Sequence, residues 1–422
     1  MDKIEYQNKI LFVPEFPTLP VIVGDGVGAE IWESARLITA EAVKKCYYEK
    51  RGINWLEVYA GKKAQDLKGE WLPEETLNAF NTYSAGIVGP LEYVGDNGNR
   101  SFGCILRHNM DLYACIKHFR WINGIITPIR KPENIDMYVF RENSEDIYAG
   151  IEWTYNSPDC TKLLHFLEND MRVKKIRFPR TSSFAIKPVS KEGCERIVQS
   201  ALDHALKTGA SKLTIVHNSK KLPVTEGSFV NWAYDLIERE CGEKVLSMRK
   251  VNAVRKDVGE DVAKGLLDDA FIKQHMIVED MVIGDFMNEA MMYPEKFDVV
   301  VTLNLDGDMI DHFLSIISGN RGLIPFTSMN NQTGKAIFGV NNNPQYNLAG
   351  LNKVNPCEMI LACASLLRFM KWEEASDLIR KALERTIAQG KVTEDLTRNF
   401  STGIKLSTKE FTQEVINIIR NN

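Results

Sequence analysis

Arg141 and Tyr148 are the two side chains of this sequence that best suit chemistry on a small acidic molecule. They lie in the segment at 137–153, which reads MYVFRENSEDIYAGIEW. An arginine stays protonated and grips a carboxylate through two parallel hydrogen bonds, whereas a phenol can donate or accept a proton. In the alternative interpretation, Arg141 pairs with one of the three carboxylates between the two residues, and Tyr148 only packs. The two residues alone leave both interpretations open.

Two further cations, Arg107 and Lys117, are predicted near the ends of other elements. A predicted turn of helix brings Ser101 close to Arg107, and the segment at 111–117 alternates like a strand that ends at Lys117. Together with Arg141, these side chains supply the positive charge that binding of several carboxylates requires. Arg141 itself follows a short apolar run that predicts a buried strand.

Acidic side chains gather later in the chain. Asp285 follows an apolar segment, and a β-branched strand predicted over 297–305 leads into Asp308. The helix predicted next, over 309–317, would place Asp308, Asp311 and His312 on one face, because positions i, i+3 and i+4 are neighbours.

Composition predicts an ordinary globular protein. The chain has 422 residues, 44% of them hydrophobic, which suffices for two domains or one large discontinuous domain. A net charge of −4 with both signs interspersed argues against a nucleic-acid partner. There is neither a signal-peptide pattern nor an apolar run that approaches membrane-spanning length, so we expect a soluble, cytoplasmic protein. Eight cysteines without CxxC spacing predict reduced thiols.

A glycine-rich turn at Gly24–Gly28 joins a strand predicted over Leu19–Val23 to a helix. The apolar face of that helix comprises Ile31, Ala35, Ile38 and Ala42. A dinucleotide-binding GxGxxG turn is rejected, because Ala29 stands where the third glycine is needed and no suitably placed acidic residue follows.

Several longer motifs identify a family. The block RENSEDIYAGIEW at 141–153 is accompanied by WLPEETL at 71–77, KKIRF at 174–178, TEG at 225–227 and KVNP at 353–356. Through these motifs the sequence resembles the bacterial-type NADP-dependent isocitrate dehydrogenases nearly end to end.

This resemblance implies an α/β fold of the isocitrate/isopropylmalate dehydrogenase type. It predicts a large α/β domain from residues 1–112 and 319–422, a small domain from 113–145 and 191–318, and a clasp insert at 146–190. Because the clasp interlocks two subunits in the family, a homodimer is implied.

The resemblance also assigns roles to residues. It implies isocitrate binding by Ser101, Arg107, Lys117, Arg141 and Tyr148, with Tyr148 also handling a proton. It further implies a magnesium or manganese site at Asp285 and Asp308, one of which reaches in from the second subunit. His312 takes the position of a third metal carboxylate, with Asp311 beside it. An imidazole ligand would shift the preference towards manganese, iron or zinc, whereas the alternative is a neutral His312 packed on the helix.

Some positions depart from the family pattern. Asn218 stands where the family has its catalytic lysine, and Lys220 or Lys221 would replace that lysine only if the loop shifts. Lys117 replaces an arginine, Gly103 an asparagine and Val88 a lysine.

The adenosine-binding loop at 342–348 also differs from the family. It lacks the histidine and the Lys-Tyr pair that would contact NADP, whereas Asn355 and Arg398 remain. Each lost charge-assisted hydrogen bond removes about 1.5–3 kcal/mol, so the loop predicts impaired NADP binding.

Three functions are compatible with these residues. The departures favour a divergent, repurposed metal-dependent enzyme, such as a decarboxylase or lyase, that acts on an isocitrate-like carboxylate without NADP. The first alternative is a functional NADP-dependent isocitrate dehydrogenase. The second is a non-catalytic regulatory subunit that keeps the carboxylate site.

Overall fold

A computed structural model describes residues 2–92, 102–319, 322–341 and 343–421. Ser101, one of the predicted substrate-binding residues, lies outside these ranges. The strands, in chain order, are β1 Glu5–Gln7, β2 Ile10–Phe12, β3 Thr18–Ile22, β4 Asn54–Glu57, β5 Ala85–Val88, β6 Ala114–Arg120, β7 Asp136–Glu142, β8 Glu152–Trp153, β9 Phe184–Ala185, β10 Lys212–His217, β11 Val245–Ser247, β12 Met276–Val282, β13 Val299–Thr302, β14 Phe326–Asn330, β15 Lys335–Gly339, β16 Lys391–Val392 and β17 Ile404–Lys405.

Helices cover both faces of the main sheet. They are α1 Gly28–Tyr47, α2 Lys62–Lys68, α3 Glu74–Tyr83, α4 Phe102–Asn109, α5 Pro158–His165, α6 Lys191–Thr208, α7 Thr225–Cys241, α8 Met248–Asp257, α9 Glu260–Ile272, α10 Ile283–Met292, α11 Asn304–Ile317, α12 Cys357–Phe369, α13 Glu373–Ala388 and α14 Thr408–Asn421. No described helix is both long enough and apolar enough to span a membrane.

Eleven of the described strands form one mixed sheet. Its order is β11-β12-β10-β13-β7-β6-β14-β15-β5-β3-β4. Both ends of the sheet are parallel, whereas β14 pairs antiparallel with β6 and with β15, and β6 pairs antiparallel with β7. The prediction of an α/β fold is confirmed. The two predicted domains share this sheet, and their bounds remain a prediction.

The buried strands are short apolar runs, as expected when helices cover both faces of a parallel sheet. Residues of β5 and β13 are buried throughout. At the β3 end, α1, α12, α13 and α14 form the largest core cluster. At the β10 end, α6 and α7 cover one face of the sheet, and α10 and α11 cover the other.

Hydrophobic periodicity located several elements correctly. All four residues predicted on the apolar face of α1 are buried, and the helices predicted from apolar spacing over 192–207 and after Pro356 correspond to α6 and α12. The seven cysteines that the structure describes form no disulfide.

Other predictions were wrong at element boundaries. Strand β6 continues past Lys117 to Arg120, because it pairs with β7 over its whole length. Helix α11 begins at Asn304, so the acidic segment 306–308 lies in its first turns rather than in a loop. Asp285 likewise lies in the first turn of α10, after β12 has ended at Val282.

The clasp segment is mostly exposed. Within it, α5 and the two-stranded sheet of β8 and β9 are regular, whereas the segment at 174–178 is irregular, although its KKIRF sequence is strand-like. Alternation alone does not make a strand, because backbone groups also need a neighbouring strand with which to pair.

Candidate active site

Arg141, the second-last residue of β7, is fixed by contacts with helix α11. Its Nη1 donates to Asp308 Oδ1 at 2.6 Å, and its Nε and Nη2 donate to Asn304 Oδ1 at 2.9 and 2.8 Å. The alternative in which Arg141 pairs with a carboxylate of the following turn is therefore wrong. Asn304 was not predicted, since its only signal is its position directly after a buried strand.

Lys117 lies on the neighbouring strand β6 and pairs with Asp311. Lys117 Nζ is 2.9 Å from Asp311 Oδ2, and Arg141 Nη1 is 3.5 Å from the same oxygen. Two buried cations therefore face two carboxylates, Asp308 and Asp311, across the interface between the sheet and α11. A pair of this kind persists in a low-dielectric site only when both charges are compensated.

Arg107, in the last turn of α4, acts on the same region. Burial raises the pKa of the Cys115 thiol, whereas the charges of Lys117, Arg141 and Arg107 lower it. The charges of all three predicted cations thus act on the same residue of β6, Cys115.

Tyr148 approaches from a 3₁₀ turn at 146–149 and completes this group. Its hydroxyl donates to Asp308 Oδ2 at 3.0 Å, and the Arg141 guanidinium carbon lies 5.2 Å from the ring centre. Burial raises the pKa of Tyr148, and Asp308 raises it further, so the phenol is a proton donor in this state.

The charged forms of the ion pairs are mutually stabilised. Burial opposes the charges of Arg141 and Lys117 and is the largest single effect on each, but the neighbouring groups, Asp311 foremost, together outweigh burial and raise the pKa of both side chains. Burial also opposes ionisation of Asp308, but Arg141, Tyr148 and His312 together outweigh burial and lower the pKa of the carboxyl group. The contacts between the sheet and α11 therefore favour the charged forms of Arg141, Lys117 and Asp308.

The predicted metal ligands are only partly brought together. His312 Nε2 lies 4.0 Å from Asp308 Oδ2 and is 81% exposed, whereas Asp311 points inward to Lys117. Within the described residues, no three carboxylate, imidazole or thiol groups form a metal-binding cluster. The buried Asp311 Oδ1 has no hydrogen-bond partner in the described part of the chain. Together with Asp308, this orphaned oxygen fits a hard divalent cation.

Lys220 and Asp285 lie together at the ends of parallel strands β10 and β12. Lys220 Nζ is 3.8 Å from Asp285 Oδ2, and both side chains are largely exposed. No described contact joins Asp285 to the group around Arg141. The amino group predicted to replace the missing lysine is thus close to a predicted metal ligand, at a surface edge of this subunit.

A buried ion cluster that sequence analysis missed supports the Tyr148 turn. Lys187 Nζ donates to Asp146 Oδ2 at 2.8 Å and to Glu226 Oε1 at 2.6 Å, and Asp146 Oδ2 also accepts from Leu305 N. Asp146 has φ 71°, a left-handed conformation that aspartate adopts at a cost unless its surroundings fix it. Glu226 Oε2 also accepts from Asn218 N at 3.3 Å, which links the turn to the Lys220 loop.

A cavity of about 800 Å³ lies beside the predicted cofactor segment, with α1 and the end of α11 in its wall. Asn355 and Arg398, the predicted cofactor residues, line it together with Lys353. Asn355 Nδ2 donates to Asp395 Oδ2 at 2.9 Å. This volume lies within the usual range for small-molecule sites, and the cations Lys353 and Arg398 fit the phosphates of a dinucleotide, beside the carboxylates Glu394 and Asp395 of the same lining.

Below this segment, Glu358 on α12 holds the backbone at Asn341. Glu358 Oε1 accepts hydrogen bonds from Asn341 N at 2.8 Å and Nδ2 at 2.9 Å. Burial raises the pKa of Glu358 to about 7 despite these bonds.

Comparison with known proteins gives a consistent result. Residues 18–415 match the family described as Isocitrate/isopropylmalate dehydrogenase. The chain is 40% identical over 419 residues to "Isocitrate dehydrogenase [NADP]" from Staphylococcus epidermidis, with 99% of each chain covered. It is 37% identical to the protein of that name from Streptococcus mutans, covering 98% of this chain and 99% of that one. A crystal structure titled isocitrate dehydrogenase from Methylococcus capsulatus superposes with a TM-score of 0.74 at 24% identity, covering 96% of this chain and 99% of that one.

Gly307→Ala should displace Arg141. A Cβ at Gly307 would lie 2.5 Å from Arg141 Cγ, whereas at Gly265, in α9, it would meet nothing within 4 Å. Glycine to alanine within a helix normally stabilises by about 0.5–1 kcal/mol, which we expect for Gly265→Ala. Gly307→Ala should instead destabilise by about 1–3 kcal/mol in urea unfolding. An equal gain in both variants would contradict the packing of Arg141 on α11.

Glu358→Gln should change how stability depends on pH. Glu358 keeps its proton up to about pH 7 when folded but loses it near its ordinary value of 4.5 when unfolded. Wild-type stability should therefore fall as pH rises through this window, by up to about 3 kcal/mol. The glutamine variant lacks this loss. The free energy of unfolding of the variant, measured in urea, should therefore rise relative to that of wild type between pH 5 and 8. A pH-independent difference would refute the raised pKa.

Proposed function

The chain belongs to the isocitrate/isopropylmalate dehydrogenase family, and from this we propose that it oxidises and decarboxylates an isocitrate-like 2-hydroxy acid with a divalent metal and NADP. One observation carries the proposal. The guanidinium of Arg141 and the phenol of Tyr148 converge on the two oxygens of Asp308, at 2.6 and 3.0 Å. A cation that can bind a carboxylate, a proton donor and an oxygen that can bind a metal therefore lie within hydrogen-bond distance of one another.

Magnesium or manganese would be held by Asp308 and Asp311, with Asp285 contributed by a second copy of the chain. When bound, the metal would act as a Lewis acid on the hydroxyl and carboxylate oxygens of the substrate, and the dinucleotide would accept the hydride. His312 lies close enough to favour manganese, iron or zinc if it turns inward.

Arg141 and Lys117 would bind the substrate carboxylates. In this structure their charges are compensated by Asp308 and Asp311. A cation between those aspartates would release both basic side chains for the substrate, so binding of metal and carboxylate should be cooperative. Tyr148, kept protonated, would deliver a proton to the carbon left after carbon dioxide departs.

A homodimer would complete this site. Asp285 and Lys220 lie at an exposed edge of the subunit, where they are available to a neighbouring copy. The clasp also exposes large apolar side chains, among them Tyr155, Phe166, Met171 and Phe178. A surface of this kind is typical of a protein interface. Lys220 would then supply the amino group that the family places at Asn218.

NADP would occupy the cavity beside Asn355. Its lining includes two cations, Lys353 and Arg398, that could contact a phosphate.

A second candidate, a metal-dependent decarboxylase or lyase that uses no dinucleotide, is favoured by a specific observation. Asn347 and Leu348 stand where the family pattern has its Lys-Tyr pair. The hydroxyl of the neighbouring Tyr346 donates a hydrogen bond to Glu92 Oε2 at 2.7 Å. The same pocket chemistry around Arg141 would serve this reaction.

Turnover separates these functions. Purified protein with isocitrate and Mn²⁺ should release carbon dioxide and reduce NADP in equal amounts, with NAD assayed in parallel. Arg141→Gln should lower kcat/KM by about 100-fold or more, because at least one charge-assisted bidentate contact is lost. Arg385→Gln, at an exposed position on α13, is the matched control.

Carbon dioxide without reduced cofactor would reject the oxidation and support the second candidate. Calorimetric binding of isocitrate and metal with no turnover would point to a regulatory subunit. If Asn218→Lys raises the rate by orders of magnitude, Lys220 does not provide the amino group.

Mixing two inactive variants tests the shared site. A dimer of one Arg141→Gln subunit and one Asp285→Asn subunit has one intact site if Asp285 acts across the interface. Random mixing should then restore about one quarter of wild-type activity, because half of the dimers are mixed and each has one working site. The double variant should stay inactive. No recovery on mixing would place both residues in the same subunit's site.

A further inference from the structure

The face of the sheet opposite the active site contains a second cavity. Neighbouring residues of a strand point to opposite faces, so Lys117 faces the active site while Ile116 and His118 face away from it. On that side, a cavity of about 440 Å³ lies between the β6–β7 region with α6 and the helices α12 and α13.

Positive charge predominates in this cavity. Its lining contains two carboxylates, Glu373 and Glu384, and five cations, which are Arg120, Lys207, Arg368, Lys371 and Arg380. Arg120 pairs with Glu384 at 3.1 Å, and Arg368 pairs with Asp377 outside the cavity lining. His204, which also lines the cavity, adds no further positive charge. Burial lowers the pKa of His204 to about 4, so that side chain is neutral at pH 7.

Arg380 is the side chain that needs an explanation. Its Nη2 donates to Ser365 Oγ at 3.1 Å, whereas its buried Nε has no hydrogen-bond partner among the described residues. No carboxylate in the described part of the chain lies within ion-pair distance of it. Burial lowers the pKa of Arg380, and Arg368 and Arg120 lower it further, against the raising effects of Tyr138 and of Glu384, which is paired with Arg120.

A deeply placed guanidinium with like charges around it and no carboxylate partner is unfavourable unless an anion joins it. Ser365 and Thr208 add hydroxyl groups to the lining, and the guanidinium fork matches a tetrahedral oxyanion. Phe338, Phe369 and Leu361 form an apolar part of the wall.

We propose that this cavity binds a small phosphate-bearing anion, held by Arg380 and Arg368 at the junction of the two halves of the sheet. The site is separate from the active site and does not depend on the reaction proposed above. Because its walls come from β6, β7 and α6 on one side and α12 and α13 on the other, a bound phosphate connects elements of the two halves of the sheet.

Calorimetry on the metal-free full-length protein tests this site with pyrophosphate and AMP as separate probes. We expect a Kd below about 1 mM for at least one of them. Arg380→Gln should weaken binding by about tenfold or more, since one charge-assisted contact is lost. Arg385→Gln, on the exposed side of the same helix, and Arg141→Gln, in the active site, should each change the Kd by less than about twofold.

The two probes distinguish the source of the phosphate. Tighter binding of AMP indicates a phosphorylated metabolite whose ring packs on the apolar wall, whereas tighter binding of pyrophosphate indicates a free phosphate anion. No binding of either probe by wild type up to about 10 mM, or undiminished binding by Arg380→Gln, overturns the proposal. If Arg380→Gln does not fold, Arg368→Gln replaces it with the same expected loss, and loss with Arg141→Gln alone also overturns the proposal.

Discussion

A buried arginine must find negative charge, and the candidate site is arranged around that requirement. Arg141 leaves the sheet at the end of β7, where Asn304 and Asp308 of α11 receive its guanidinium. Glycine at 307 lets the helix approach the aliphatic part of the arginine closely. Tyr148 and Lys117 then join through Asp308 and Asp311. The strand end, the helix start and the tyrosine turn are positioned by one set of charge-assisted contacts.

Much of the fold follows from local sequence patterns. The buried stripe of α1 and the apolar spacing of α12 each follow the helical periodicity, and each helix lies where that pattern predicts it. Boundaries depended on partners that local sequence does not contain. The continuation of β6 past Lys117 is determined by pairing with β7, and the early start of α11 by bonds from distant residues to Asn304.

The site shows the same division between local and distant information. The types of Arg141, Tyr148 and Asp308 already indicated chemistry on an acidic substrate, and the family resemblance gave them roles. Which carboxylate each cation contacts was not predictable, because the pairs join residues more than 150 positions apart. Lys187 was missed for the same reason, since its partners Asp146 and Glu226 come from separate segments. Where the chain departs from the family pattern, at Asn218, the structure brings Lys220 near Asp285.

The two halves of the sheet are joined through β14. It pairs with β6 over three residues, Thr327 to Met329, and with β15 over five. Within the described residues, a hydrogen-bonded ladder thus connects the half of the sheet that carries the candidate site to the other half. Any movement of the two halves relative to each other has to twist this ladder. The three-residue pairing between β6 and β14 is its shortest part in this region and should deform most easily. The stiffness of the β-sheet, more than the mobility of loops, then determines how far the two halves can move apart between successive substrates.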